Sequence, residues 1–283
     1  MDFRVVPAGR GLAWFQQAIR ALDANPRRLI QIASVYVLIQ LMPNLLANIP
    51  ELKLAVSAAL LVLGPALSAG LMYAVSEAHA GRAVSVGQLF EGLRRPGART
   101  QLLVLGMIWL VAALGMAYCF QHILGTGAAQ VMLDLADQKI KPDSPAVQAL
   151  AVPMLKGMLA VMAILFVLLI GLFFAVPRVM FDGRNALASV AESFAACASN
   201  IVPMLVYALL LMAAAFAATV GLAIVAGILG LLGQIGALLL AAVFLIVAMF
   251  ALLIGASGNY QAWHEVFGRT DDSATPPQAE ILA

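Results

Sequence analysis

The sequence contains very little charge. Only 11% of its 283 residues are Asp, Glu, Lys or Arg, whereas 63% are hydrophobic. An ordinary soluble domain has about 25% charged and roughly 45–50% apolar residues, and a soluble fold could not hide this much apolar surface from water. A disordered chain is also excluded, because disorder requires low hydrophobicity and high charge. The composition therefore predicts an all-α protein that crosses a membrane several times.

Cysteines and catalytic motifs are also scarce. The two cysteines, Cys119 and Cys197, are predicted on opposite sides of the membrane, so we expect no disulfide. The sequence contains no HExxH, Walker loop, GxSxG or CxxC motif. Cys119 and His122 lie one helical turn apart, but even a catalytic zinc site needs three ligands. We therefore expect no enzyme, no cofactor and no metal site.

Basic residues are too few to indicate a nucleic-acid partner. The formal net charge is +2, and no basic run is interleaved with aromatic residues. The arginines are nevertheless unevenly distributed. If the N-terminus is cytoplasmic, all twelve arginines fall on the inner side of the membrane and the four lysines on the outer side. By the positive-inside rule, this bias predicts an inner-membrane protein with both termini in the cytoplasm.

Long apolar runs dominate the chain. A helix needs about 20 apolar residues to cross a bilayer, and six runs satisfy this requirement, at about 29–47, 54–76, 102–120, 155–176, 201–226 and 235–258. The boundary between the last two is the least distinct, because glycines alone interrupt the apolar sequence there. A helical stub is predicted at 128–139 in the outer loop 121–150, and the C-terminal segment 268–283 reads as a disordered cytoplasmic tail. Residues 1–267 are thus predicted to form a single integral membrane domain.

A Gly-Arg pair recurs three times on the predicted cytoplasmic side, at Gly9-Arg10, Gly81-Arg82 and Gly183-Arg184. After each pair comes a short stretch with apolar residues at helical spacing, and then two predicted spans. In the first stretch the predicted apolar face is Leu12, Phe15, Ile19 and Leu22. In the third it is Leu187, Val190, Phe194 and Cys197, with Ser189, Glu192 and Ser193 opposite. The pattern predicts three amphipathic interfacial helices and a pseudo-threefold repeat with units of about 9–80, 81–182 and 183–267.

The arginines of these stretches have two interpretations. They can simply anchor the protein at the lipid surface, or they can form a cytoplasmic ring that binds anionic headgroups or another membrane protein. The candidate residues for such contacts are Arg10, Arg82, Arg184, Arg94 and Arg95.

The predicted spans contain no acidic or basic residue near their centres, which disfavours a carrier driven by protons or sodium. Gly64-Pro65 is expected to kink or break the second span, and with Gln40 it is a candidate for lining a substrate path. We therefore consider two functions. The first is a non-enzymatic protein, as a homo-oligomer or with a partner, that organises or assists envelope components through its arginine-rich helices. The alternative is a transporter or channel for an apolar or amphipathic small molecule.

The chain also resembles a known family. The stretch 64–71, continuing through Gly81-Arg82 to 88–93, resembles uncharacterised proteobacterial six-helix inner-membrane proteins, as do residues 6–11 with Trp14. The segment 177–193 is more loosely similar to YciC-like proteins and to the membrane domain of bacterial glycerophosphodiester phosphodiesterases. The resemblance implies a six-helix fold in the inner membrane. It implies no activity and no catalytic residues.

Overall fold

A computed structural model describes residues 3–23 and 25–268, which contain helices and turns and no strand. Apart from Gly268, the tail predicted at 268–283 lies outside the described residues. The α-helices are α1 (Arg10–Arg20), α2 (Pro26–Leu45), α3 (Pro50–His79), α4 (Glu91–Arg94), α5 (Pro96–Leu124), α6 (Ala128–Ala136), α7 (Pro145–Phe173), α8 (Ala175–Asp182), α9 (Ala186–Ser199), α10 (Ile201–Leu229) and α11 (Gly233–Phe267).

Five helical segments in the described part of the chain are long and apolar enough to cross a membrane. They are α2, α3, α5, α7 continued by α8, and a 67-residue segment that contains both α10 and α11. The sequence predicted six spans, and the difference arises from this last segment. A short 3₁₀ turn, Gly230–Leu232, joins α10 to α11, and Gly233 has a positive φ of 58°. Helix α6 lies within the predicted stub at 128–139.

Buried residues are concentrated at one end of the helices. In α3 they all lie within 65–78, and in α11 all but Gly236 lie within 253–267. Helix α10 buries only Pro203 and Tyr207, near its start. We call the end where α1 and α9 lie the packed end, and the end with the turns 46–49 and 230–232 the open end. The long helices therefore bury few side chains towards the open end.

The long helices follow one another side by side. Helix α11 packs against α10, α2 and α3, while α5 packs between α3 and α7. Among the described residues, α7 and α10 share no extensive contact along their lengths. They approach each other at the packed end, where the ring centroids of Phe173 and Tyr207 are 6.4 Å apart. The bundle is thus held together at the packed end and separates between α7 and α10 towards the open end.

Glycines allow the closest helix contacts. Gly106 in α5 lies directly against the backbone carbonyl of Val62 in α3, and Gly70 in α3 lies against the carbonyl of Leu89. A Cβ atom at either glycine would overlap these backbone atoms. Small residues commonly allow such close approach between helices in membranes. These contacts fix α3 against α5 and against the segment that precedes α5.

The second predicted interfacial helix has a different form. Residues 86–90 form a 3₁₀ turn, and the one-turn helix α4 follows it. The side chains of Ser85 and Gln88 form a capping box at the start of this turn. Gly92 lies against the carbonyl of Ala66, halfway along α3, so the segment folds back into the bundle. Close backbone contact with α3 therefore shapes this stretch more than its apolar periodicity does.

The other two stretches are helices, but only part of each predicted apolar face is buried. In α9, Ser189 and Ser193 are fully buried, whereas Leu187 is 66% exposed. Ser193 accepts a hydrogen bond from the backbone N–H of Phe174 and donates one to the carbonyl of Ile170. Lipid tails are as apolar as a protein core, so apolar residues gain little by facing inward here. Small residues and hydrogen bonds instead select the buried face.

Helix α1 shows the same arrangement. Its buried residues are Gly11, Trp14 and Ala18. On the predicted apolar face, Leu12 and Ile19 are exposed, whereas Leu22 is buried just after the helix. Trp14 is completely buried, and its indole Nε1 donates a hydrogen bond to Glu265 of α11 at 2.6 Å. Helix α1 is thus fastened to α10 and α11, and it presents leucine and isoleucine to its surroundings.

Candidate functional site

A cavity of about 460 Å³ lies among α2, α3, α5 and α8. It brings together Gln40, Gly64 and Pro65, the three residues that the sequence indicated as candidates for lining a path. The sequence predicted a kink or a break at Gly64-Pro65. Helix α3 continues through these residues, so the break is wrong and the kink stays a prediction. The other residues that line the cavity are Tyr36, Pro43, Ser57, Leu60, Leu61, Ser68, Trp109 and Val176.

The cavity is closed towards the packed end and open on the other side. Among the lining residues nearest the packed end, Pro65 and Val176 are buried and Ser68 is half-buried. Gln40 is exposed and Leu61 is 36% exposed at its opposite side. Because Gly64 and Pro65 lie at the midpoint of α3, the cavity reaches the middle of this membrane-length helix.

Uncharged polar groups line part of an otherwise apolar wall. The Gln40 Nε2 amide donates a hydrogen bond to the Tyr36 hydroxyl at 3.2 Å. Ser57 and Ser68 place hydroxyl groups along α3, and Trp109 contributes an indole from α5. No Asp, Glu, Lys, Arg or His is among the residues that line the cavity. Such a wall suits a molecule with an apolar body and a small uncharged polar group.

Two prolines add polar backbone atoms to this wall. Pro43 in α2 and Pro65 in α3 both line the cavity, and both lie inside a helix. Proline has no N–H, so the carbonyls of Ile39 and Leu61, four residues earlier, lose their helical partner. Both prolines line the cavity, so the helical turns that lack these hydrogen bonds lie beside it. Pro65 was among the predicted path-lining residues and Pro43 was not, although its position inside an apolar run is the same signal.

The three arginines of the Gly-Arg pairs each form an ion pair within the protein. Arg10 contacts Glu265, Arg82 contacts Glu77 through two bonds of 2.8 and 2.6 Å, and Arg184 lies 3.3 Å from Glu192. The Glu77 carboxylate also raises the pKa of Arg82 above its ordinary value. The arginine side chains remain between 39% and 60% exposed. These residues therefore connect elements of the packed end and still present part of each guanidinium to the surroundings.

Arg94 and Arg95 belong to the segment that folds back towards α3. The Arg95 guanidinium lies 4.5 Å from the centroid of the Tyr73 ring and 3.8 Å from Glu91. The Arg94 guanidinium lies beside Gly87. The structure thus holds these two arginines through contacts other than those of the Gly-Arg pairs. Their predicted contact with headgroups or a partner stays a prediction.

An ionic centre that the sequence analysis missed lies around Arg178. Its side chain is only 7% exposed and bonds Glu192 at 2.6 and 3.0 Å and Asp182 at 2.6 Å. The guanidinium carbon also lies 4.4 Å from the centroid of the Phe267 ring. Trp263 donates a hydrogen bond to Asp182 at 3.1 Å. This centre joins α8, α9 and α11 at the packed end.

The cysteines and histidines do not assemble into a metal site in the described part of the chain, which contains no group of three or more possible metal ligands. The His122 ring stacks at 6.0 Å on the ring of Tyr118. Cys119 and Cys197 are both free. Burial raises the pKa of the Cys197 thiol to about 12, so this cysteine remains a neutral thiol.

The chain is similar to a protein of Burkholderia thailandensis whose name reads "probable inner membrane protein". The two are 28% identical over 148 residues, which cover 51% of this chain and 52% of the relative. The chain thus matches about half the length of this curated relative. No family model and no solved structure matches. The similarity and the apolar helical segments support an all-α protein of the inner membrane.

Proposed function

We propose that this protein binds an amphipathic small molecule in the cavity and moves it within or across the inner membrane, without chemical change to the molecule. The observation that supports this proposal is the cavity of about 460 Å³ at the middle of α3, with polar groups at membrane depth. Tightly packed spans would have favoured a purely organising role. The volume falls within the roughly 300–1,000 Å³ typical of small-molecule pockets.

The proposal includes a topology of six crossings with both termini in the cytoplasm. A single helix of 67 residues would be about 100 Å long, far more than a hydrocarbon core about 30 Å thick. Helices α10 and α11 have 29 and 35 residues, pack against each other, and are each long enough to cross separately. The repeat units 9–80, 81–182 and 183–267 would then each contribute two crossings.

The arginine distribution supports placing the packed end in the cytoplasm. In this orientation the cavity is closed on the cytoplasmic side by Pro65 and Val176, and it is accessible from the outer half of the bilayer. Gln40 and Leu61, which line the cavity, are exposed on this side of the bundle. An amphipathic molecule could therefore enter from the lipid rather than from water.

Cysteine labelling tests the topology. Single cysteines placed in a variant without Cys119 and Cys197 should react with a membrane-impermeant maleimide from the outside at residues 138 and 231, in the outer loop and the α10–α11 turn. A cysteine at residue 83 should react only after the cells are opened. Labelling of residue 231 from the inside alone would contradict separate crossings by α10 and α11.

A substitution that fills the cavity tests the proposed function. Gly64 lines the cavity, and a Cβ atom there meets nothing within 4 Å, so Gly64→Leu adds bulk with little strain. The matched control is Gly115→Leu in α5, where the surroundings are equally open. Strains that lack the gene, complemented with each variant, are compared for uptake, export and sensitivity to charged and uncharged amphipathic compounds. We expect Gly64→Leu to resemble the deletion strain and Gly115→Leu to resemble the wild type.

An organising role is the second candidate, and the exposed arginines at the packed end favour it. Arg20, Arg27 and Arg28 lie on the surface near the junction of α1 and α2, where anionic headgroups, a membrane-protein partner or a second copy of the chain would meet them. If the deletion changes no transport phenotype and the protein co-purifies with a fixed partner, this role replaces transport. Changing Arg27 and Arg28 to Gln should then release the partner.

A further inference from the structure

We infer that the cavity selects uncharged amphiphiles whose polar group donates a hydrogen bond, such as long-chain or isoprenoid alcohols. This inference rests on the proposed function and names the class of molecule. It draws on two observations: Pro43 and Pro65 lie inside helices and line the cavity, so neither offers a helical N–H to the carbonyl four residues earlier, and no charged side chain is among the lining residues.

The two carbonyls determine which polar group fits. In an intact helix the carbonyls of Ile39 and Leu61 would accept hydrogen bonds from residues 43 and 65, but both of these positions are proline. A buried acceptor without a partner costs free energy, and in lipid no water supplies the missing donor. A hydroxyl or amide N–H of a bound molecule would satisfy one of them. An ether or ester of the same size has no hydrogen to donate to these carbonyls and can only accept from wall donors such as the Ser57 and Ser68 hydroxyls.

Charged molecules are excluded by the same wall. The ion pairs of the packed end, those of Arg82 and Arg178 among them, use residues that do not line the cavity. A carboxylate or phosphate in the cavity would therefore lose its water without gaining a counter-ion, which is costly in a low-dielectric site. The walls of Leu60, Leu61 and Val176 suit a hydrocarbon chain instead.

Three probes that share one chain and differ in the polar group test the inference. These are 11-bromo-1-undecanol, its methyl ether and 11-bromoundecanoate, added to the full-length protein in detergent micelles. Bromine quenches tryptophan fluorescence on contact, and Trp109 lines the cavity. The signal from the cavity is the saturable quenching that disappears in Trp109→Phe. We expect the alcohol to bind about tenfold more tightly than the ether, the ratio for one lost buried hydrogen bond, and the carboxylate not to bind.

Proline variants separate binding from folding. Pro43→Ala and Pro65→Ala restore the backbone N–H and so provide the carbonyls with their helical donors. Both variants should melt at the same or a higher temperature than the wild type, since proline inside a helix is unfavourable. Because one hydroxyl donates to only one carbonyl, we expect one of the two variants to bind the alcohol about tenfold more weakly, like the ether. Pro153→Ala is the matched control, because Pro153 also lies inside a helix, α7, but does not line the cavity. It should bind the alcohol as the wild type does.

The outcomes distinguish this inference from the proposed function. If the alcohol and the ether bind equally, or if Pro43→Ala and Pro65→Ala both keep wild-type affinity, the carbonyls do not select the ligand and the inference is wrong, although the cavity still binds amphiphiles. Tight binding of the carboxylate would also overturn it. If none of the probes quenches Trp109 saturably, the cavity binds no amphiphile of this size, and the proposed function fails as well.

Discussion

Replacing Arg178 with methionine removes the cation at the centre of the packed end. The methionine side chain is unbranched and fills much of the space of the arginine side chain, so the change deletes charge and hydrogen bonds more than volume. Glu192 then keeps only Arg184, at 3.3 Å, and Asp182 keeps only the indole N–H of Trp263. In the wild type the Asp182 and Glu192 carboxylates flank the Arg178 guanidinium, whose side chain is only 7% exposed. In the variant these two carboxylates stay close together without the cation between them.

The size of the effect follows from this burial. Removing one partner of a buried ion pair costs about 3–5 kcal/mol, because the other charge loses its compensation. We expect the lower end, about 3 kcal/mol, since Asp182 is 26% exposed and can be partly hydrated. For a chain of this size, 1 kcal/mol shifts the melting temperature by about 2–4 °C. Arg178→Met should therefore lower the melting temperature by about 6–12 °C.

A thiol-reactive dye measures this melting in detergent, because Cys197 is buried in the folded protein and reacts once the packed end opens. The control is Lys139→Met, which removes a lysine paired with Asp137 at 2.9 Å but 62% exposed. Exposed pairs contribute about 0–1 kcal/mol, so this control should shift the melting temperature by less than about 4 °C. If the two variants have the same melting temperature, the Arg178 centre contributes no more to stability than a surface ion pair, and our account of the packed end is wrong.

Two further predictions concern close contacts and burial. Gly106→Ala should destabilise the protein by about 1–3 kcal/mol, because the new Cβ would overlap the carbonyl of Val62. The control Gly115→Ala lies in open space on the same helix and should be neutral or slightly stabilising. If thermal melting gives both variants the same melting temperature, α3 and α5 can separate freely. The pKa of Cys197 is raised to about 12, so only about 1 in 10,000 molecules carries the reactive thiolate at pH 8. Alkylation of Cys197 in the folded Cys119→Ser variant should therefore be slow at pH 8 and accelerate as the pH rises. Rapid alkylation at pH 8 would contradict the burial of this thiol.

Much of the candidate site could be predicted from the sequence. Gln40, Gly64 and Pro65 were recognisable because a polar residue or a helix breaker stands out inside an apolar run, and all three line the cavity. Pro43 carries the same signal and was missed. Trp109 and Val176 could not have been named, because nothing in their local sequence distinguishes them from other apolar residues of the spans.

The ion pairs of the packed end show a second limit. The Gly-Arg pairs drew attention to Arg10, Arg82 and Arg184, but the sequence did not reveal their glutamates. Arg10 pairs with Glu265 at the opposite end of the chain, a contact that only folding creates. A fourth Gly-Arg pair, Gly268-Arg269, follows Glu265 and went unnoticed, although Arg269 lies outside the described residues.

A helical membrane protein and the approximate positions of its long helices could be recognised from the chain alone, because insertion into a bilayer depends on local hydrophobicity summed over about 20 residues. The buried faces of the helices became clear from their packing. Lipid and protein core are equally apolar, so hydrophobic periodicity could not orient α1 or α9, and small or hydrogen-bonding residues such as Gly11 and Ser193 did so instead. The packed end, and the cavity that it closes, follow from those contacts.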